Sequence, residues 1–143
     1  MLPEILSNDK CSLRPDEPRA TVTAEFLVSN DGRVSREKFY RSLIKSKARM
    51  TYTDIRKILI DKDEQSISKY KNLHQMISLM EGCHDSLRAA RLARGSVDFD
   101  LPEADIVIGM QGGISDIVKA ERHVGHMMIE EFMVAANEAV ARF

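Results

Sequence analysis

Between about Lys69 and Ala93 the apolar residues Leu73, Met76, Ile77, Met80, Cys83 and Leu87 recur at steps of three and four. That spacing puts one continuous stripe on an α-helix and cannot serve a strand, whose faces alternate every residue. At 1.5 Å per residue such a helix spans roughly 37 Å. It needs a broad apolar surface to lie on. A coiled-coil partner is weakly supported, because three heptads without paired charges at the flanking positions do not specify one. A sheet and a second helix are the simpler cover, and the rest of the chain offers both.

Upstream, Val22, Ala24, Phe26 and Val28 alternate with polar residues as a half-buried strand does. Asn30-Asp31-Gly32 follows, with Asp-Gly able to supply a tight hairpin turn, and a return strand is expected from about Val34 to Ile44. Pro3, Pro15 and Pro18 make the lead-in from Met1 to Pro18 read as extended or looping. Thr51 with Asp54 three residues later resembles a helix N-cap and opens a short helix through Ile55, Ile58 and Leu59, broken by the charged stretch Asp61 to Ser68.

Beyond Gly95, Val97 to Asp100 and Asp105 to Ile108 read as short strands, and Gly112-Gly113 turns into Ile114 to Val118. A second long helix runs from about Arg122 to Arg142, with Met128, Ile129, Phe132, Met133, Ala135, Ala136, Ala139 and Val140 on a broad apolar face. The expected fold is α+β: a small antiparallel sheet, from a hairpin near 20–44 and short strands near 97–118, packed with two long helices near 69–93 and 122–142. No run approaches the length of a membrane span and no secretory leader is expected. Cys11 and Cys83 are too few for a disulfide framework and poorly spaced for zinc, so both are expected as reduced, buried thiols of a cytoplasmic protein.

A formal charge of −1 conceals a marked asymmetry. Residues 1–32 carry three Lys/Arg against six Asp/Glu, residues 33–57 nine against two, and residues 98–143 three against nine. Within the basic segment Lys45, Lys47 and Arg49 fall at period two, on one face of an extended chain. The row is either a solvated surface or a path for phosphates. On the last helix His126, Glu130 and Asn137 lie within about 40° of one another, a narrow polar stripe suited to lining a cleft or to meeting water at a boundary. A second polar stripe is expected from Glu131, Glu138 and Arg142. Two residues at i and i+4 do not make a metal site. The acidic run Asp98, Asp100, Glu103 and Asp105 lacks the turn glycine and terminal glutamate of a calcium loop. Phe99 inside it is either a core strand residue or a base-stacking platform. No phosphate-cradling glycine loop, nucleophile elbow or assembled acid, base and nucleophile can be named.

Four strings in order then carry a resemblance: Leu2-Pro3-Glu4 with Ser7-Asn8 and Cys11-Ser12-Leu13; Ser46-Lys47-Ala48-Arg49-Met50-Thr51-Tyr52; Arg94-Gly95-Ser96-Val97-Asp98-Phe99-Asp100 with Pro102-Glu103; and Arg122-His123, His126, Ile129-Glu130-Glu131, Met133, Ala136-Asn137. Together they resemble the catalytic (RNB) domain of the ribonuclease II/ribonuclease R family across the whole chain, the second string being most like the bacterial ribonuclease R branch. His123 stands where Asn is usual and Gly125 where Ala is common; the glycine should weaken the helix start by up to about 1 kcal/mol.

The resemblance implies a Mg²⁺-dependent, processive exoribonuclease that degrades single-stranded RNA from its 3′ end to nucleoside 5′-monophosphates, without preference for DNA. By position it implies base stacking for Phe99 and a ribose contact for Glu130. It also implies that the chain is the central part of an incomplete catalytic domain. The family's metal-binding aspartate cluster would lie upstream and its arginine-bearing segment downstream. The chain alone is therefore expected to hold no catalytic or metal-ligating residue, to bind no Mg²⁺, to be inactive, and to expose core surface that would promote an artificial dimer. The alternative is a free-standing RNB-like module that binds RNA or protein without catalysis.

Overall fold

A computed structural model describes residues 2–97 and 123–143, together with the backbone of two further strands. The hairpin pairs β1 (Pro18–Val28) with β2 (Val34–Lys45) antiparallel, from Pro18 opposite Lys45 to Val28 opposite Val34. Three helices follow: α1 (Tyr52–Leu59), α2 (Glu64–Lys69) and α3 (Lys71–Ala93). A second antiparallel pair, β3 (Ala104–Ile108) and β4 (Ile114–Lys119), precedes α4 (Val124–Arg142). The α+β class holds, but the described strands form two separate two-stranded sheets rather than one.

The core lies between helices. Ile58 and Leu59 of α1, Ile77 of α3 and Met128 of α4 form its buried centre, flanked by Met50, Ile55, Leu73, Met80, Val124 and Phe132 among others. The apolar stripe of α3 is largely where its period puts it, with two changes. Met76 is 51% exposed, while His84 is buried. Seven residues are almost two turns, so His84 lies within about 20° of Ile77 on the stripe's centre line.

The hairpin packs on α3 and α4 near its tip, and at its base Arg19 reaches Asp9 of the lead-in at 3.6 Å. Gly32, at φ +76°, is buried in the turn, where a Cβ would overlap the Ser86 carbonyl oxygen and stand 2.6 Å from the Ala90 Cβ. Phe39 meets Phe143 edge to face at 5.0 Å, and Arg142 donates to Glu37 at 3.0 Å. Phe26 and Val28, close to this contact, are half-buried as expected. Val22 and Ala24 on the same face are exposed, Val22 by 80%. Alternation chose the correct face at the tip; at the base the half-buried residues are Thr21 and Thr23 on the opposite face.

Four local expectations change. The lead-in contains a π-helical turn, Ile5–Lys10. The charged stretch after α1 does not simply break helix, because the Asp63 side chain accepts from the Ser66 N–H at 2.8 Å and caps α2. Val97 lies outside any strand, and residues 98–100 fall outside the described residues. Cys11 is exposed rather than buried, whereas Cys83 is half-buried and burial pushes its thiol pKa up. No helix among the described residues is long and apolar enough to cross a membrane.

Candidate nucleic-acid interface

The three cations of the basic segment leave the hairpin on an extended strand end. Lys45, Lys47 and Arg49 are exposed, while Ser46, Ala48 and Met50 between them are half-buried. Two anchors fix that alternation. At one end the Asp16 N–H donates to the Ser46 carbonyl at 2.8 Å, beside the Pro15–Ser46 bridge; at the other, Met50 packs on the core. Lys45 stands 3.9 Å from Asp16, whereas Lys47 and Arg49 have no ion pair among the described residues.

Thr51 stops the extended run. Its hydroxyl accepts from the Asp54 N–H at 3.1 Å and its own N–H donates to the Asp54 carboxylate at 3.0 Å, a reciprocal capping box. That backbone N–H, with the Thr51 hydroxyl next, holds the Asp54 carboxyl below the usual carboxylate range. The cap points Tyr52 outward at the start of α1, 43% exposed. Its ring lies against His126 of α4, centroids 3.8 Å apart and planes inclined by 31°. His126 Nδ1 accepts from the His123 N–H at 3.2 Å, and the two imidazoles are 5.5 Å apart.

Close approach of α1 and α4 depends on Gly125. A Cβ there would lie 3.2 Å from Tyr52 Cδ1 and 3.3 Å from Ile55 Cβ. The residue that weakens the helix start on propensity is the one that admits the Tyr52–His126 stack.

Glu130 is exposed one turn beyond His126, a rise of about 6 Å. Asn137 is exposed on the same side, about 16 Å from His126 along the axis. The structure therefore brings His126 against Tyr52, three residues after Arg49, with Glu130 one turn further along α4. It leaves Asn137 further down the helix. Phe99 and the acids Asp98, Asp100 and Glu103 fall outside the described residues, as does the side chain of Asp105.

The second polar stripe does not exist as expected. Glu131 is 4% exposed. Arg91 Nε donates to its two carboxylate oxygens at 3.0 and 3.1 Å, and Arg91 Nη2 to one of them at 2.5 Å. Glu138 is half-buried beside Arg94, and only Arg142 lies fully on the surface. Spacing alone put Glu131 on an outward polar stripe and gave Tyr52 no part in the site. The acidic polarity of Glu131 masked its central place on the inward face, and nothing local to Tyr52 announces a histidine 74 positions away.

Among the described residues no group of three or more His, Cys, Asp and Glu could hold a metal ion. The two-ion chemistry implied by the resemblance needs clustered carboxylates, so these residues do not fit it.

Comparison with known proteins identifies the family and the fold. The chain matches the RNB domain over residues 1–143. It is 40% identical to ribonuclease R of Aquifex aeolicus over 141 residues, covering 99% of this chain and 20% of that protein. With ribonuclease R of Escherichia coli K12 it shares 36% identity over 143 residues, covering 100% of this chain and 18% of the other. The fold superposes on the apo form of Mycoplasma genitalium RNase R with a TM-score of 0.85 and 33% identity, covering 98% of this chain and 21% of that one. The same Mycoplasma enzyme in complex with ribose methylated single-stranded RNA gives a TM-score of 0.85 at 33% identity, over 98% of this chain and 21% of that one. The chain thus spans about a fifth of the length of these relatives. It belongs to the RNB domain family.

Proposed function

We propose that this chain forms part of the RNA channel of a ribonuclease R-type exoribonuclease, a Mg²⁺-dependent enzyme that degrades single-stranded RNA from the 3′ end to nucleoside 5′-monophosphates. The observation that carries the reading is the exposed row Lys45, Lys47 and Arg49, anchored by its inward residues and leading straight to Tyr52, His126 and Glu130. A row of cations on an extended backbone matches the repeat of a phosphate chain and costs little to desolvate. At its end, a stacked tyrosine and histidine offer a flat surface, and the Glu130 carboxylate accepts a hydrogen bond from a ribose 2′-hydroxyl, the group that distinguishes RNA from DNA. Phe99 supplies base stacking and Asn137 a further polar contact along the channel. The relatives support this reading, since Mycoplasma genitalium RNase R is known in complexes with single-stranded and double-stranded RNA. In this reading the chain contributes recognition, and the carboxylates that hold Mg²⁺ are not among the described residues.

Anisotropy titrations of a labelled single-stranded RNA, repeated over a range of salt, test it. Replacing Lys45, Lys47 and Arg49 by Gln should lower affinity and flatten the log–log salt slope by about 0.7 per lost phosphate contact, about 2 in all. With Mg²⁺ present, the unmodified chain should release no nucleotide. An unchanged slope returns the cation row to ordinary solvated surface, and purification-resistant 3′→5′ degradation overturns the recognition-only role of the chain.

A further inference from the structure

Glu131 is a charged residue on an inward face otherwise built from Met128, Ala135 and Ala139. Packing there would be served as well by an apolar side chain, because burying an ion pair carries a desolvation cost that its attraction often only balances. What the pair supplies and a methyl group does not is orientation. The planar Arg91 fork meets both carboxylate oxygens of Glu131, and its remaining nitrogen, Nη1, donates to Ser96 Oγ at 2.9 Å. Three pieces of chain are held at one guanidinium: the last turn of α3, the turn after it, and the second turn of α4. Arg91 is on the last turn of α3 and its side chain is 14% exposed.

We propose that Arg91, Glu131 and Ser96 form a positioning clamp that fixes the rotation of α4, and with it the direction of Glu130, against the chain that runs on from Ser96 toward Phe99. The proposal rests on the reading of Glu130 as a ribose contact. Glu130 and Glu131 are neighbours about 100° apart on the helix. With the Glu131 carboxylate seated in the Arg91 fork, the Cα–Cβ bond of Glu130 keeps one bearing away from the α3–α4 seam. A side-chain carboxylate sits about 6–7 Å from the axis, so a 20° roll of α4 would carry it about 2 Å. A shift of that size removes a hydrogen bond, and even an ångström-scale misplacement of a positioning group costs on the order of 100-fold in rate. On the other side of the clamp, Ser96 is three residues before Phe99 in the sequence. The clamp therefore ties the start of the segment bearing the stacking aromatic to the helix bearing the ribose contact. The neighbouring pair Arg94–Glu138, at 2.9 Å along the same seam, is much more exposed and serves as an internal control.

The test uses the full-length natural protein and two substrates, a single-stranded RNA and the same oligomer with one 2′-deoxyribose near its 3′ end. The readouts are the ratio of kcat/KM for the two substrates and the thermal midpoint. Arg91→Lys keeps the charge and loses the fork; Glu131→Gln keeps the shape and loses the charge. Both should cut the RNA-to-deoxy ratio about tenfold, a fraction of the full misplacement cost. The effect should vanish in a Glu130→Ala background, and Glu138→Gln should leave the ratio as it is. Should Glu131→Gln fail to fold, Arg91→Lys and Ser96→Ala decide. If Glu130→Ala alone leaves the ratio unchanged, the ribose reading falls and the clamp falls with it. If Glu130→Ala collapses the ratio while Arg91→Lys and Ser96→Ala do not move it, only the clamp is overturned. An equal loss on both substrates that follows a lowered midpoint also overturns it, since that is the signature of a structural ion pair.

Discussion

Among the described residues two glycines sit inside helices, and the same substitution should affect them in opposite ways. Gly82, within α3, is exposed, and a Cβ built on it meets nothing within 4 Å. Gly82→Ala should therefore collect the full helix-propensity gain, about 0.8–1 kcal/mol. For a chain of this length the unfolding entropy is roughly 300 cal/mol/K, so the midpoint should rise by about 3 °C. Gly125, in the first turn of α4, is buried, and its new methyl would stand 3.2 Å from Tyr52 Cδ1 and 3.3 and 3.4 Å from two carbons of Ile55. The first two contacts are a few tenths of an ångström too close, and the third is at the edge of ordinary contact. The Tyr52 ring can swing outward, but Ile55 is packed on the core. Overpacking of this kind costs about 1–3 kcal/mol, which cancels or exceeds the propensity gain. Gly125→Ala should thus leave the midpoint unchanged or lower it by up to about 7 °C. Thermal unfolding followed by far-UV circular dichroism measures both variants, and the His126 ring-proton shift reports whether the Tyr52 stack has opened. If Gly125→Ala stabilises as much as Gly82→Ala, the α1–α4 contact is not tight and the geometry of the Tyr52–His126 corner is wrong.

Gly32→Ala places a methyl on the Ser86 carbonyl in a backbone conformation at φ +76°, so it should destabilise by about 2 kcal/mol or more; urea unfolding with no loss of midpoint would remove the hairpin tip from α3. Asp54 has a folded-state pKa below its unfolded value near 3.9, so its stabilisation is full above that value and disappears as pH falls through the folded pKa. Asp54→Ala should therefore be less stable than the parent by about 0.5–1 kcal/mol at pH 6, with the gap closing toward pH 3; a gap of equal size at both pH values would show that the carboxylate does not cap α1.

How much of this was legible from residue order depends on how far each partner lies along the chain. The Thr51–Asp54 cap, the cation row and the long helices are all set within a few residues, and each appears where its spacing puts it. Asp63 was equally local, with Ser66 three residues on, but the surrounding charges read as a break and hid the cap. Glu131 was lost for another reason. A search for apolar periodicity discards polar residues before asking where they point, yet Glu131 lies at the centre of the inward face of α4. Only the pairing with Arg91, 40 residues away, makes a buried Glu131 tolerable, and no local pattern states that pairing. The exposure of Val22 and Ala24 has another cause: period two offers two faces, and the half-buried one changes along the hairpin, from Phe26 and Val28 at the tip to Thr21 and Thr23 at the base.

The position of α4 explains why a helix that supplies core residues can also carry a binding face. It is held at three levels by three different elements: by α1 through Gly125, Tyr52 and Ile55; by α3 through the Arg91 fork; and by β2 through Phe143 on Phe39 and Arg142 on Glu37. The stripe of Glu130, Met133, Asn137 and Val140 is exposed, yet none of it can roll or slide without breaking one of those anchors. Sites on braced helices hold their geometry better than sites on loops, because each side chain inherits a bearing from a backbone fixed elsewhere. The anchors are unequal, however. The terminal pair Arg142–Glu37 is exposed at 50% and 27%, and such pairs contribute little. The Gly125 contact and the Arg91 fork flank Glu130 within about one and a half turns on its N-terminal side and at the adjacent residue. Control of the proposed ribose contact therefore resides in the first half of α4, and the second half serves chiefly to seat the hairpin.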